Sequence, residues 1–592
     1  MKKTITLGWV AAVAMLAPAF AGATVKTVEV KTAGTLSTLI PASEKNNVTG
    51  LTVSGKLNGD DVLYIREMAG QDVKGNATQG KLTDLNLSGV ELADGGGAYY
   101  QDSWSSYYTS TSYDVSEDED EYYCTDLSYA FSGTNLKSVV WPATMWEVGE
   151  DALSYCTGLT SFTLGSETNE IKSRAFYGCS SLAGIALTDE ILYVDDYAFA
   201  GCTSLKSIVL PDALETIYRN TFADCKALES VTIGGAVSDI REHAFDGCSS
   251  LKSIELPEAL TKIGNSAFDG CSSLKAIVLP KKLRTLGEGV FEGCTGLGAI
   301  DVAAGNANFA SSNGVLYDKA MTNLIVCPVG KTGSYAVPDG VEKISASAFS
   351  RCTGLTAITL PESLTTIGDE AFYRCTSLAT LTLPNSVTSV GENAFCRCGS
   401  LRSVTLGNGM TAIGPSMFYY CNGLESIVVP EGYTSVGYEA FAGCAALRQV
   451  ELPSTITSIG SEAFSGCSAL YKATVKVETP VAITADVFTG VNLNTCRLFV
   501  PQAGIEAYKA DAQWGKFQLI EPIVVSGVQG VETAAAGVSV SGGVLTVAGD
   551  HSFTVYTATG RLLCSGATGS VTLPGHGCYV VVAGGKAVKV MY

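Results

Sequence analysis

IGNSAFDGCSSLKAIVLP, residues 263–280, decides the fold, because the chain repeats it. IGDEAFYRCTSLATLTLP, residues 367–384, is a second clean copy of the pattern I-G-x-x-A-F-x-G-C-x-x-L-x-x-I-x-L-P. Its cysteine serves as a ruler. Cys156, Cys179, Cys202, Cys225, Cys248, Cys271 and Cys294 fall at 23-residue steps, and so do Cys352, Cys375, Cys398, Cys421, Cys444 and Cys467. A fixed period of this length is the signature of a solenoid, in which each unit stacks on its neighbours.

In the first copy Phe268, Cys271, Leu274, Ile277 and Leu279 are the apolar positions. Ile277 and Leu279 alternate with Ala276 and Val278 at the period of a strand. Pro280 has no N–H to donate and ends it. Gly264 is expected to take a positive φ where the next segment turns. A lone unit holds too few apolar side chains to offset the entropy of ordering its backbone. The units must therefore bury one another, and the ends need caps.

Over about residues 125–475 these motifs resemble the BspA-type leucine-rich repeats of bacterial surface proteins. The resemblance implies a β-rich, curved leucine-rich-repeat solenoid with one short parallel strand per rung on one face. Loops and short 3₁₀ or extended segments would form the opposite side. It also implies adhesion to host extracellular-matrix proteins or to other microbes.

The grid cysteines read as a buried column of small apolar thiols. Export would favour disulfides between rungs instead, and a rung spacing of ~4.8 Å is within reach of a bridge. In-register side chains run parallel, however, and a run of seven cannot pair completely. A metal ladder lacks the four converging ligands of a zinc site. Cys396 stands off the grid beside Arg397, in a column that holds Tyr373 and Tyr419 on the neighbouring rungs, and is expected to be more exposed.

The chain begins MKKTITLGWVAAVAMLAPAFAGA. Lys2 and Lys3, an apolar run and a small-x-small site at Ala19-Phe20-Ala21 or Ala21-Gly22-Ala23 mark residues 1–23 as a signal peptide. No cysteine at that site offers a lipid anchor, and no later stretch is long and apolar enough to span a bilayer. The product is expected at the cell surface, associated with the outer membrane, or secreted.

Residues 24–124 resemble the N-terminal cap module often found ahead of such repeats, with strands at LTVSG and LTDLNLSG and a helix from Asp60 to Met68. Its last part, residues 96–124, combines an aromatic cluster with an acidic run from Glu117 to Glu121. Either this is a solvated loop, or Tyr99, Tyr100, Trp104, Tyr107 and Tyr108 present rigid contact surface. The acidic run lacks the D-x-D-x-D-G spacing of a calcium loop. No metal or cofactor is expected.

The first array occupies residues 125–302. Its opening rung, LSYAFSGTNLKSVVWP, is one residue short and lacks the grid cysteine, and the next has Leu153 where Phe normally stands. Edge rungs are commonly atypical. The step from Cys294 to Cys352 is 58 residues, two periods plus 12. The insertion is placed at residues 303–341, where VLYDKAMTNLIVCP reads as a hairpin bulging from the solenoid. A second array follows at 342–477. Residues 478–521 resemble the closing segment of such arrays, with a strand and a short helix near Tyr508 and Trp514. Residues 522–592 read as a small β-sandwich. They resemble the sorting domains of Bacteroidota, or else form an ordinary immunoglobulin-like module; under either reading Cys564 and Cys578 are bridged or free.

The net charge of −20 argues against a nucleic-acid reader, whose binding faces are basic. The three histidines, His243, His551 and His576, stand in no catalytic constellation. No nucleophile elbow or metal-ligand spacing occurs. Binding therefore leads over catalysis. The outward strand positions, Thr359, Thr382 and Thr405 among them, are small and mostly uncharged. They are good strand formers, or a smooth platform for an extended protein or a glycan. Arg351, Arg374 and Arg397 precede grid cysteines on three successive rungs, where the first array mostly has glycine, as at Gly247, Gly270 and Gly293. Like charges ~4.8 Å apart repel unless neutralised. Either local carboxylates such as Asp369 and Glu392 pair with them, or they form a stripe for a carboxylate-bearing or sulfated partner. The expected protein is a monomeric, non-enzymatic binder of a host or microbial surface protein or glycan. It reads first as an adhesin, second as a glycan-binding protein for nutrient capture, and otherwise as a structural surface protein without a specific ligand.

Overall fold

The computed structural model describes residues 24–103, 105–111, 114–115, 121–523 and a set of strands between 538 and 591. Residues 1–23, expected to be a signal peptide, Trp104, acidic residues 117–120, His551 and His576, and the side chains of Cys564 and Cys578 lie outside the described residues. Contacts divide the chain into two compact units. The first is the described chain to Arg448 together with Ile456–Leu470 and Ile483–Val491; the second is Gln449–Thr455, Tyr471–Ala482 and Asn492 onward.

The first unit is a parallel β-solenoid. Ser207 pairs with Ser230 and Ser230 with Ser253, each one period on. Segments expected as loops or extended chain carry a second parallel ladder, Thr216 to Asp239 to Lys262 to Thr285. Two residues per rung suffice there, because every neighbour presents the same backbone at the same height. The Phe column stacks nearly face to face. Centroids from Phe176 through Phe199, Phe222, Phe245 and Phe268 lie 5.2, 5.7, 5.4 and 5.3 Å apart.

The cysteine column is buried and every grid thiol is free. Packing is not its only task. Cys202 Sγ donates to Phe176 O at 3.2 Å and Cys225 Sγ to Phe199 O at 3.2 Å, and the pattern continues to Cys467 Sγ on Phe441 O at 3.3 Å. The Phe199 carbonyl also accepts the Cys202 N–H at 3.1 Å, so both its lone pairs are used. Burial pushes the Cys202 and Cys467 thiols up to about 12, which keeps them protonated donors. In the opening rung Thr134 takes the missing cysteine's place, 3.3 Å from Cys156 Sγ.

Gly264 does not adopt a positive φ, contrary to the sequence reading. It is needed for space: a Cβ there would stand 2.6 Å from Glu242 N on the previous rung. The left-handed positions of this rung are Ser266 and Gly270.

Strands Thr24–Val30, Val48–Leu57 and Asp84–Leu92 pair in parallel, and the last pairs with Ser138–Val140 of the first rung. The N-terminal module thus covers the edge that the solenoid would otherwise leave open. Its helix, Gly59–Met68, begins at Asn58 in a reciprocal capping box with Asp61. In the insertion, Phe309–Ser312, Val315–Asp318 and Asn323–Val326 form an antiparallel meander, and the last strand then pairs in parallel with Lys343–Ile344. The expected hairpin is present, and it also does the work of a rung. Cys327 stands where Phe stands elsewhere: its N–H donates to Ala348 O at 2.7 Å, and its carbonyl lies 3.8 Å from Cys352 Sγ.

The second unit contains a parallel sheet of Gln449–Leu452, Lys472–Val475, Arg497–Val500 and Leu519–Pro522. Helix Ile505–Ala510 carries the buried Tyr508, and Trp514 donates to Val481 O at 2.8 Å. Beyond these, Val538–Ser541, Val544–Val547 and Gly569–Thr572 form one antiparallel sheet. Phe553–Thr557, Leu562–Gly566, Cys578–Ala583 and Lys586–Met591 form another.

Candidate functional site

Two columns on one edge of the first unit hold left-handed backbone. One lies two residues before the Phe and contains Asn220, Ser266 and Asn393; the other immediately precedes the cysteine and contains Gly178, Gly201 and Gly247. Gly, Asn and Asp take this conformation at little cost, whereas a bulky side chain costs ~1–2 kcal/mol. Bulky residues recur along the Phe-side column, at His243, Glu370, Glu439 and Glu462 among others, whereas in the cysteine-side column they are confined to two places. Arg351, Arg374, Arg397 and Tyr420 occupy the cysteine-side column at φ of 61°, 58°, 60° and 55°. Near the first rungs, Tyr129, Arg174 and Tyr197 hold the Phe-side column and Tyr155 the other.

The structure brings the three predicted arginines together. With Thr353, Thr376 and Asn422 of the adjacent column they line a groove of about 580 Å³. All three arginines are exposed. Of the two arrangements the sequence left open, pairing with Asp369 and Glu392 is not found among the described residues: Asp369 Oδ1 accepts the Glu392 N–H at 2.9 Å. Arg351 makes one ion pair, with Glu292 at 3.2 Å, a surface contact worth at most ~1 kcal/mol. Arg374 lies over the Tyr373 ring at 5.2 Å and Arg397 over Tyr420 at 5.6 Å. Among the described residues neither has a carboxylate partner. Each guanidinium thus lies within cation–π reach of a tyrosine ring, and Arg397 also bonds the Cys396 thiol beside it.

Cys396 is more exposed than the grid cysteines, as expected, but only just: it is buried, with 3% of its surface exposed against 0% for the grid column, and burial pushes its thiol up to about 11. A side chain this short stays below the surface to which the half-buried Tyr373 and Tyr419 reach.

In the aromatic segment, Tyr99 and Tyr107 fit neither the solvated loop nor the contact surface that the sequence left open. Tyr99 is fully buried and its hydroxyl donates to Ser128 O at 2.8 Å. Tyr107 is buried with its ring 4.4 Å from that of Tyr129. Tyr100 is half-buried and stacks on Tyr129 at 5.2 Å, and Tyr108 is half-buried in strand Ser106–Thr109. These rings gain more by filling the space beside the short first rungs than by facing water. Thr359, Thr382 and Thr405 are exposed on the strand face, in a column apart from the arginines. His243 pairs with Asp246 at 3.1 Å. Among the described residues no cluster of three or more His, Cys, Asp or Glu is placed to hold a metal, and no helix is long and apolar enough to cross a membrane.

A stacked, 23-residue β-solenoid with inward Phe, Leu and Cys columns defines a leucine-rich-repeat protein. The family model described as BspA type Leucine rich repeat region (6 copies) matches residues 127–252, 215–323, 331–447 and 412–506. The chain belongs to that family. Among solved structures, a leucine-rich repeat protein from Eubacterium ventriosum is similar at 26% identity, covering 55% of this chain and 82% of that one, with a TM-score of 0.46. A leucine rich cell surface protein from Faecalibacterium prausnitzii is similar at 25% identity, covering 64% and 95%, with a TM-score of 0.40. A leucine-rich repeat protein from Bacteroides ovatus is similar at 23% identity, covering 64% and 93%, with a TM-score of 0.37. No curated relative matches this chain.

Proposed function

We propose that this protein is a non-enzymatic adhesin, exported by residues 1–23 and displayed at or beyond the cell surface. It grips a carboxylate-bearing or sulfated component of host extracellular matrix or of another cell. The observation that carries this reading is the groove of Arg351, Arg374 and Arg397. Three cations stand in register on an otherwise acidic chain, at backbone positions that favour glycine, and two of them lack any carboxylate partner among the described residues. Such an arrangement suits a partner with anionic groups repeated along its length, because planar guanidinium forks bind carboxylate and sulfate in two-point fashion.

The test is an array of matrix proteins and acidic polysaccharides probed with residues 24–592 and with the R351G/R374G/R397G variant. Saturable binding to acidic partners that the variant loses supports the reading. Silence on every acidic partner, or equal binding by the variant, removes it.

A further inference from the structure

The second cluster of bulky left-handed residues is aromatic except for Arg174. Tyr155, Tyr177 and Tyr197 rise on three successive rungs, with centroids 5.2 and 6.4 Å apart and rings at 79° and 67°. Tyr155 is 57% exposed and stands at φ 58° in the column where the next two rungs carry Gly178 and Gly201. Together with Tyr129 these rings wall a groove of about 560 Å³. Its polar groups are Arg174 and the carboxylates of Asp151 and Asp102.

Those polar groups are held in place. Arg174 Nε donates to Asp151 Oδ2 at 2.7 Å, and its Nη2 donates to Glu150 Oε1 at 2.9 Å and to Tyr129 Oη at 3.4 Å. Tyr129 is braced from behind by Tyr100 and Tyr107. The aromatic segment thus shapes this groove without being its surface, and it contributes Asp102 to the rim. Arg174 is already neutralised by two carboxylates, so an anion gains little here and meets Asp102 as well. What remains is a set of ring faces beside fixed, planar donors and acceptors. Ring faces take the apolar C–H side of a sugar ring, and the carboxylates and guanidinium take its hydroxyls.

We propose that this groove is a second binding site, specific for a neutral saccharide and independent of the arginine groove. Both sites use the same edge of the first unit, and their opposite chemistry fits a partner or surface that offers uncharged sugar and acidic groups together.

Residues 24–592 are titrated by calorimetry with neutral β-linked gluco-, galacto- and manno-oligosaccharides, with sialyllactose and with choline. The expected result is saturable binding of at least one neutral oligosaccharide, weakened about tenfold or more in Tyr155→Gly and in Tyr177→Leu. The R351G/R374G/R397G variant should bind the same sugar as well as the parent. Tyr155→Gly restores the residue that neighbouring rungs use at this φ, so its fold is retained and an unchanged unfolding temperature verifies that. The proposal is overturned if no neutral sugar binds. It is equally overturned if both tyrosine variants bind like the parent, or if choline or sialyllactose is preferred over every neutral probe.

Discussion

At the scale of the residue, the cysteine is a hydrogen-bond donor as much as a filler. A thiol is small enough to sit inside the rung and still reach the Phe carbonyl of the rung before, as Cys248 does to Phe222 O at 3.1 Å. Cys248→Ala removes that donor and a buried sulfur, and should cost about 1–2 kcal/mol in urea unfolding. In the native protein the grid thiols and Cys396 should react with alkylating reagents only at the rate of unfolding; rapid labelling would show that the column is open. The period and the buried columns were legible in the sequence because each column repeats one residue type. The left-handed columns were not, since Gly, Asn, Asp, Ser, Glu and His share them with Tyr and Arg and conceal the rule. Once it is visible, the bulky Tyr and Arg of the cysteine-side column point to both grooves. The burial of Tyr99 and Tyr107 was not legible, because nothing local distinguishes a ring that packs from one that faces water. The same rule predicts the stability of the R351G/R374G/R397G variant. Left-handed φ favours glycine, whose unfolded-state entropy opposes the gain, so the variant should match the parent within about 1 kcal/mol or exceed it.

At the scale of the element, stacking brings like side chains into register and shifts their ionisation. Lys172 stands 3.0 Å from both Glu147 and Glu170. Asp195, one rung on, has no such ion pair among the described residues. Burial first and then the charge of Glu170 raise its carboxyl from 3.8 to about 6. A carboxyl raised in the folded state binds its proton more tightly there than when unfolded. Stability is therefore fully present below pH ~4 and falls as pH rises through about 6. Asp195→Asn should stabilise the protein by about 1 kcal/mol at pH 7.5, after allowance for solvent screening, and leave it unchanged at pH 4. Equal effects of the substitution at both pH values, read from urea midpoints, would contradict this. The insertion teaches the complementary lesson. Its hairpin was legible from two apolar runs around a polar turn. Its role as a rung was not, because pairing of Asn323–Val326 with Lys343–Ile344 depends on the ladder already built beside it.

At the scale of the whole molecule, a solenoid exposes an unpaired strand wherever it stops, and the N-terminal module answers that problem through Asp84–Leu92 on Ser138–Val140. A chain shortened to begin at residue 125 should aggregate at concentrations where residues 24–592 stay dispersed, as read by light scattering; equal dispersity would mean the module is not a cap. The same repetition gives the proposed ligand surfaces without a pocket-forming fold, since any column can be rewritten one rung at a time. The most direct test of the account is the affinity of residues 24–592 for an immobilised sulfated polysaccharide, measured beside the R351G/R374G/R397G variant at 0.15 M and 0.5 M NaCl, about physiological ionic strength and well above it. The account predicts saturable binding that weakens with salt and falls at least about tenfold in a variant of unchanged unfolding temperature. Binding by the variant equal to that of the parent at both salt concentrations would contradict it.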